Sequence, residues 1–403
     1  MRISTNRQFE TDRGVRAFHN APSAASPRVT IACSGLGRIR RGNETWARTV
    51  AEGLHRAGSN VTLLGGGPLP DAKCPYRRIA NVPREFLLTR NWLSWGLRYS
   101  VEQLTAAAAL LAQPTWQPGD ILHIADPGLA WQMSKRTRRK GVRVVYKDGL
   151  QLGPSYCARF DFVQVLAPYY LTIAHNEGFD TRNWFVIPHL VDTRRFSPEN
   201  DRIKARRLLR GHPLAPDDFV VLAVGDYSPE SNKRLDWIVN EVSLLNRRSP
   251  AHLVLAGQAS QTDLAIFTKQ AKDLLGERVH VLSNVNTNEM PLLYASADAF
   301  AHAALHEPFG IVFLEAMASG VPVAAHHFPV TEWIVGDGGC AIDMTEPGRL
   351  AAVLESWRRE PERRRAIGLS ARRRAVEMFG EDEIVPLYLR MYERIAAEPL
   401  PRP

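Results

Sequence analysis

The chain has 403 residues and a net charge of +9, and one core usually accommodates about 100–200 residues, so two domains are expected. Apolar residues make up 45% and charged residues 23%, which excludes a disordered or fibrous chain, and no apolar run approaches the ~18 residues of a membrane span. Cys33, Cys74, Cys157 and Cys340 lie 41, 83 and 183 positions apart, which excludes a zinc ribbon or a CxxC redox site and points to buried thiols in a reducing compartment.

The first twenty residues carry Arg2, Arg7, Arg13 and Arg16 and no apolar stretch, so no secretory signal is expected. Residues 1–200 hold 27 Lys and Arg against 15 Asp and Glu, a balance of +12, whereas residues 251–350 hold 4 against 11, a balance of −7. This asymmetry predicts that the first half meets something anionic: a membrane surface, a phosphorylated acceptor or nucleic acid. The densest basic cluster runs from Lys135 through Arg136, Arg138, Arg139 and Lys140 to Arg143. No aromatic residue interleaves it, which argues against a single-stranded nucleic-acid platform, and a solvated helix face is its simplest interpretation.

In chain order, Val29 to Cys33 reads as a buried strand, followed by a loop from Ser34 to Gly42. Asn43 is placed to cap a helix carrying Trp46, Val50, Leu54 and Ala57 at helical spacing and closed by Gly58. A strand at Val61 to Leu64 completes a strand–helix–strand unit, the start of a parallel doubly wound sheet. Further strands are expected at 121–124, 142–146, 162–166 and 184–187. Between the strands at 61–64 and 121–124, Phe86 to Ala112 is rich in Trp and Leu flanked by Arg84, Arg90 and Arg98; it reads as core-packing helices or as an acceptor- or membrane-facing surface. A polar stretch from Asp192 to Pro216 then separates a second unit. There, strands are expected at 219–225, 252–256, 279–282, 297–301 and 321–325, with helices at 235–247, 263–275 and 289–296. The amphipathic segment 381–397 reads as a terminal helix.

The most specific stretch is His306-Glu-Pro-Phe-Gly-Ile-Val-Phe-Leu-Glu315, continuing to Val323. Two carboxylates, Glu307 and Glu315, bracket a Pro-Phe-Gly turn and a short helix closed by Gly320. The turn aims the N–H groups of Gly310, Ile311 and Val312 outward from a helix N-terminus, where phosphate or hydroxyl oxygens bind readily. Carboxylates accept hydrogen bonds from vicinal hydroxyls, as on a ribose or hexose.

This stretch resembles the Glu-x7-Glu signature of the retaining, family-4 type nucleotide-sugar glycosyltransferases, of the glycogen-synthase-like superfamily. Other segments match in order along nearly the whole chain: RRGNETWARTV with Gly42 and Glu44, PGDILHIAD, FVIPHLVDTRRFSP, VLAVGDYSPESNKRLDWIV, and FPVTEWIVGDGG with Glu332. The resemblance implies an α/β protein of GT-B fold: two Rossmann-like domains facing across a cleft, an acceptor domain over 1–195 and a nucleotide-sugar domain over 196–380, with the helix at 381–397 crossing back to the first. It implies transfer of a hexosyl unit, with retention and without a metal cofactor, from a nucleotide-diphosphate sugar to a hydroxyl of a glycan, lipid-linked or other acceptor. The basic first half extends this to peripheral contact with an anionic membrane from the cytoplasmic side; nucleic acid is not an expected partner.

By the same resemblance, Glu307 lies by the transferred sugar and Glu315 binds the nucleotide ribose. Phe309, Gly310, Ile311 and Val312 present backbone donors, and Gly225, which ends its strand, belongs to the donor-binding loop. Lys233 neutralises the diphosphate, with Arg234 as the alternative cation. In the first domain, Gly42 and Asp148 contribute to the cleft. Three departures from the family pattern stand out. Asp226 occupies the place of an Arg, His189-Leu190 replaces an Asn-Gly, and Lys147-Asp148-Gly149 replaces a histidine. They keep two alternatives open: a degenerate relative that binds nucleotide sugar without turnover, and a GT-B nucleotide-sugar epimerase. Two motifs are set aside. His302 and His306 are four residues apart beside Glu307, but the preceding residues read as a strand, where helical metal-ligand spacing fails. Gly35-Leu36-Gly37 follows a strand, but Arg40 stands where a dinucleotide fingerprint needs its third glycine.

Overall fold

In the computed structural model, residues 27–39, 41–85, 94–112, 116–208, 214–215, 217–228 and 231–399 are described. The segment 86–93, including Trp92 and Arg90, and the N-terminal twenty residues lie outside them.

In the first domain, β1 (Val29–Cys33), β2 (Val61–Gly65), β3 (Tyr76–Arg78), β4 (Ile121–Ile124), β5 (Arg143–Lys147), β6 (Phe162–Val165) and β7 (Trp184–Val186) form a sheet in the order β3-β2-β1-β4-β5-β6-β7. All its pairings are parallel. Its helices are α1 (Gly42–Arg56), α2 (Trp95–Leu111), α3 (Pro127–Thr137), α4 (Pro154–Cys157) and α5 (Pro168–Asn176). The second domain opens with α6 (Arg202–Leu208). It continues through β8 (Val220–Asp226), α7 (Leu235–Asn246), β9 (His252–Gln258), α8 (Gln261–Leu275), β10 (Val279–Ser283), α9 (Met290–Ser296) and β11 (Ala299–His302). It ends with α10 (Ile311–Ala318), β12 (Val323–His326), α11 (Pro329–Val335), β13 (Gly339–Ile342), α12 (Arg349–Arg359) and α13 (Pro361–Phe379). Its sheet runs β10-β9-β8-β11-β12-β13, again parallel. In each sheet the order reverses beside the first strand, at β1/β4 and β8/β11, where doubly wound folds open a ligand crevice at the strand C-termini. This is the GT-B architecture.

The strands most clearly expected form because they are mostly apolar: β1, β4 and β8 are largely buried on both faces, as parallel strands covered by helices must be. The edge strands β3 (Tyr-Arg-Arg) and β13 (Gly-Cys-Ala-Ile) lack an apolar run and are formed by pairing alone. The basic cluster divides. Lys135 and Arg136 end α3, and Arg138 to Lys140 form an exposed 3-10 turn. Arg143 is instead buried on β5 and donates to the carbonyls of Ala396 and Glu398.

The last helix, α14 (Glu381–Ala397), packs Ile384, Val385, Tyr388, Met391, Tyr392 and Ile395 into the core of the first domain beside Trp46 and Val50. The Tyr388 hydroxyl accepts from Trp46 Nε1 at 2.8 Å and from Gln164 Nε2 at 2.9 Å. Where the chain leaves and re-enters the first domain, Val191 N–H donates to the Phe379 carbonyl at 2.9 Å. No helix of the described residues is long and apolar enough to cross a membrane.

Candidate active site in the interdomain cleft

The site is assembled on loops after β8 and β11. β8 ends at Gly225 and Asp226, where a Cβ on Gly225 would stand 2.9 Å from Lys233 Cβ; the missing side chain lets the loop fold back. Asp226 Oδ1 accepts the Ser228 N–H at 2.8 Å. Arg234 adopts a left-handed backbone (φ 47°) ahead of α7, a conformation non-glycine residues seldom hold.

β11 ends at His302, and the loop then carries His306 and Glu307 into the Pro308-Phe309-Gly310 turn. Gly310 has φ +84°, and a Cβ there would sit 2.5 Å from the Phe313 ring, so the turn into α10 requires glycine. The Phe309 side chain is core, edge-on to His189 at 5.0 Å and near Trp333 and Phe379. It fixes the turn, and only its backbone can reach a ligand. The N–H groups at the start of α10 have no acceptor within the helix and carry its positive end.

The two loops are tied together. Lys233 Nζ bonds the Glu307 carboxylate, and Asn232 Nδ2 donates to the His306 carbonyl at 3.2 Å. His302 Nε2 lies 3.3 Å from the same Glu307 oxygen. Burial by itself pushes the Glu307 carboxyl up, but the Lys233 ammonium and the His302 imidazole hold it down to about 2. His302 is buried and lowered, so Lys233 is the fixed cation of the trio. His302 stands at a strand end and His306 in a loop, so they do not share a helix face, and among the described residues no three His, Cys, Asp or Glu side chains are grouped to hold a metal.

Glu315, about one turn into α10, accepts the Tyr294 hydroxyl at 2.7 Å. Burial pushes its carboxyl up to about 7, with Tyr294 and Arg195 opposing. Arg234 is paired with Asp236 and lies 4.0 Å over the Trp237 ring, so the cation that meets Glu307 is Lys233.

On the first-domain side, Gly42 and Asp148 differ in their surroundings. Gly42 is exposed, with no protein atom within 4 Å of a Cβ built on it. Asp148 is buried and already accepts from the Tyr146 hydroxyl, the Cys157 thiol and the Leu152 N–H, so it is a structural anchor for its loop. Asn43 does not cap α1, which begins at Gly42; its Oδ1 accepts from Lys147 Nζ at 2.9 Å. Lys147 is completely buried beside the Trp46 ring, and burial lowers it to about 8. Two tyrosines have no sequence signal: Tyr170, whose hydroxyl crosses the cleft to the Pro308 carbonyl at 2.6 Å, and Tyr294. Each is one tyrosine in a helix, with no local pattern to mark it.

The fold and the site define a GT-B protein, two Rossmann-like domains with an acidic–basic pair on the second-domain face of the cleft. Residues 205–374 match the family model described as "Glycosyl transferases group 1". The match lies within the second domain, and the whole chain has the GT-B fold. It is 28% identical over 218 residues to an MMP alpha-(1->4)-mannosyltransferase of Mycolicibacterium hassiacum, covering 53% of this chain and 48% of that one. It is 31% identical over 201 residues to a GDP-mannose-dependent alpha-(1-6)-phosphatidylinositol monomannoside mannosyltransferase of Mycolicibacterium smegmatis, covering 47% and 51%. It is also 31% identical over 221 residues to a D-inositol 3-phosphate glycosyltransferase of Salinispora tropica, covering 52% and 45%. The aligned part thus spans about half the length of these curated relatives. Among solved structures, sucrose-phosphate synthase from Thermosynechococcus elongatus superposes with a TM-score of 0.74 at 18% identity, over 92% of this chain and 99% of that one. Anabaena HepE in complex with UDP-glucose gives 0.69 at 17%, over 92% and 99%.

Proposed function

We propose that the protein transfers a hexosyl unit from a nucleotide-diphosphate sugar to an acceptor hydroxyl, with retention and without a divalent metal. One observation carries this reading: the Lys233–Glu307 pair stands at the loop that leads into the N-terminus of α10, at Gly310, Ile311 and Val312. A fixed ammonium and a helix N-terminus supply a positive field where the leaving diphosphate gains charge, so they favour the transition state over the bound substrate. Glu307 holds Lys233 in place and borders the transferred sugar, and Glu315 takes the ribose hydroxyls. Names of the relatives support a glycosyl donor, with mannosyltransferases prominent among them, and the HepE complex supports a nucleoside-diphosphate sugar in a cleft of this fold. Retention rests on the family likeness alone.

The acceptor would be a glycan, a lipid-linked molecule or another hydroxyl compound on the first-domain face. The exposed Arg138, Arg139 and Lys140 turn supports peripheral contact with an anionic membrane from the cytoplasmic side. The test is a screen of nucleotide sugars for transfer, with product anomers read by NMR, in EDTA. Transfer with retained configuration in EDTA upholds the reading. Activity lost in EDTA and restored by magnesium or manganese overturns the electrostatic argument, an inverted product overturns the retaining assignment, and nucleotide-sugar binding without transfer identifies a non-catalytic relative.

A further inference from the structure

A second cleft of about 570 Å³ opens between the domains, and its charge comes entirely from the first one. Arg38, Arg41, Arg84 and Arg98 line it, with Glu85 and Trp95; the second domain contributes only Gln258, Asn284 and Val285. Arg84 is already satisfied: it is buried, bonds the Glu102 carboxylate and lies 4.1 Å over the Tyr99 ring. Glu102 is satisfied as well, by Arg84 and by the Ser34 hydroxyl at 2.8 Å.

Two of the other three guanidiniums keep an unmatched nitrogen. Arg38 spends its terminal nitrogens on the Ser34 and Gly66 carbonyls and on Asn81, but its Nε is buried without a hydrogen-bond partner. Arg98 Nε is likewise buried and unpartnered, and Arg41 is exposed. Buried donors left unmatched are costly and rare in native folds, so a fork of guanidinium N–H groups around one cavity calls for a ligand with several acceptor oxygens. Opposite them, Glu85 Oε2 is a buried acceptor without a partner, suited to a hydroxyl, and Trp95 is 49% exposed, a flat apolar wall.

We propose that this cleft binds the phosphate of a phosphorylated sugar or polyol acceptor, with Arg38, Arg41 and Arg98 on the phosphate and Glu85 on a ring hydroxyl. This rests on the glycosyl-transfer reading above and names its acceptor class. The donor's positive partners, Lys233 and the α10 N-terminus, belong to the second domain, so a first-domain arginine fork is left for the other substrate.

The phosphate can sit on a soluble molecule or on a lipid headgroup, and two arms distinguish the sources. Calorimetry of the full chain compares myo-inositol phosphate and glucose 6-phosphate with unphosphorylated inositol and glucose; sedimentation compares phosphatidylinositol with phosphatidylcholine vesicles. The expected result is at least tenfold preference for the phosphorylated partner in one arm. The Arg41→Gln/Arg98→Gln variant should abolish it while binding UDP and GDP as the wild type does, which also reports that it is folded. A response to the soluble phosphates places the group on a free sugar or polyol, and a response to vesicles alone places it on lipid; both uphold the proposal. Equal binding of phosphorylated and unphosphorylated partners overturns it, as does a preference unchanged in the variant. If UDP and GDP binding falls in the variant, the fork serves the donor and the acceptor assignment is overturned. If wild-type protein binds no nucleotide or nucleotide sugar, the transferase reading fails separately, whatever the phosphate arms return.

Discussion

Lys233 and Glu307 are 74 positions apart, yet each is the other's charged partner, and the pair joins the loop after β8 to the loop after β11. Glu307 is buried while Lys233 keeps 28% exposure, so the ammonium can turn towards a diphosphate without leaving the carboxylate's field.

Lys233→Ala should therefore do two things. Turnover should fall about 100- to 1000-fold, the usual loss when one transition-state charge partner is removed. Stability should also fall, towards or below the lower end of the roughly 3–5 kcal/mol for orphaning a buried charge, because Lys233 is partly exposed. Arg234→Ala should spare both. Steady-state kinetics and thermal unfolding of the two variants check this; a silent Lys233→Ala with a crippled Arg234→Ala would move the role to Arg234.

The pH dependence has a definite sign. Glu307 is held at about 2 against an ordinary 4.5, so its contribution to stability is fully present above 4.5 and lost as pH falls through that window towards 2. Unfolding midpoints measured over this range should flatten in Lys233→Ala relative to the wild type.

Glu315 behaves in the opposite sense. Its carboxyl is raised to about 7, so the fold disfavours the ionised form, and stability declines as pH rises from 4.5 through 7. A ribose hydroxyl donates best to the ionised carboxylate, so nucleotide-sugar affinity should rise as pH passes 7. Glu315→Gln should remove that dependence, and Glu315→Ala should weaken binding by about 1.5–3 kcal/mol. Calorimetry at pH 6 and pH 8 with a nucleotide sugar decides it; a flat wild-type profile would contradict the assignment.

Tyr388→Phe tests the grip of α14. It removes the acceptor of the buried Trp46 N–H, at about 1–3 kcal/mol, which for a domain of this size lowers Tm by about 2–4 °C per kcal/mol. A Tm within 1 °C of wild type would show that the bond contributes little.

The parts of this molecule legible in its sequence are those where local chemistry and tertiary environment agree. Val29 to Cys33 is apolar but for Thr30 and lies largely buried between helices; the Pro308-Phe309-Gly310 turn needs its glycine for reasons local to the turn. The parts that escaped are relations between distant residues. Asn43 is a good helix cap by composition, but a buried Lys147 claims its oxygen. Asp148 looks like a free acceptor until Tyr146, Leu152 and Cys157 close around it. Arg143 sits in a basic run, yet β5 turns it inward to the end of α14. Tyr170 and Tyr294 bear no local mark because what selects them is a carbonyl or carboxylate more than twenty positions away or in the other domain.

The return of α14 to the first domain has a consequence for how the chain folds. The second domain sits inside the first as an insertion, entered and left at the single point where Val191 meets Phe379. On the ribosome, the first domain's strands emerge early, but Trp46 and His123 find their partners Tyr388 and Tyr392 only when the end of α14 is made. The first domain must then wait, with part of its core exposed, while some 190 further residues are synthesised; at about 5–20 residues per second that delay is on the order of 10–40 s. The half that starts first finishes last.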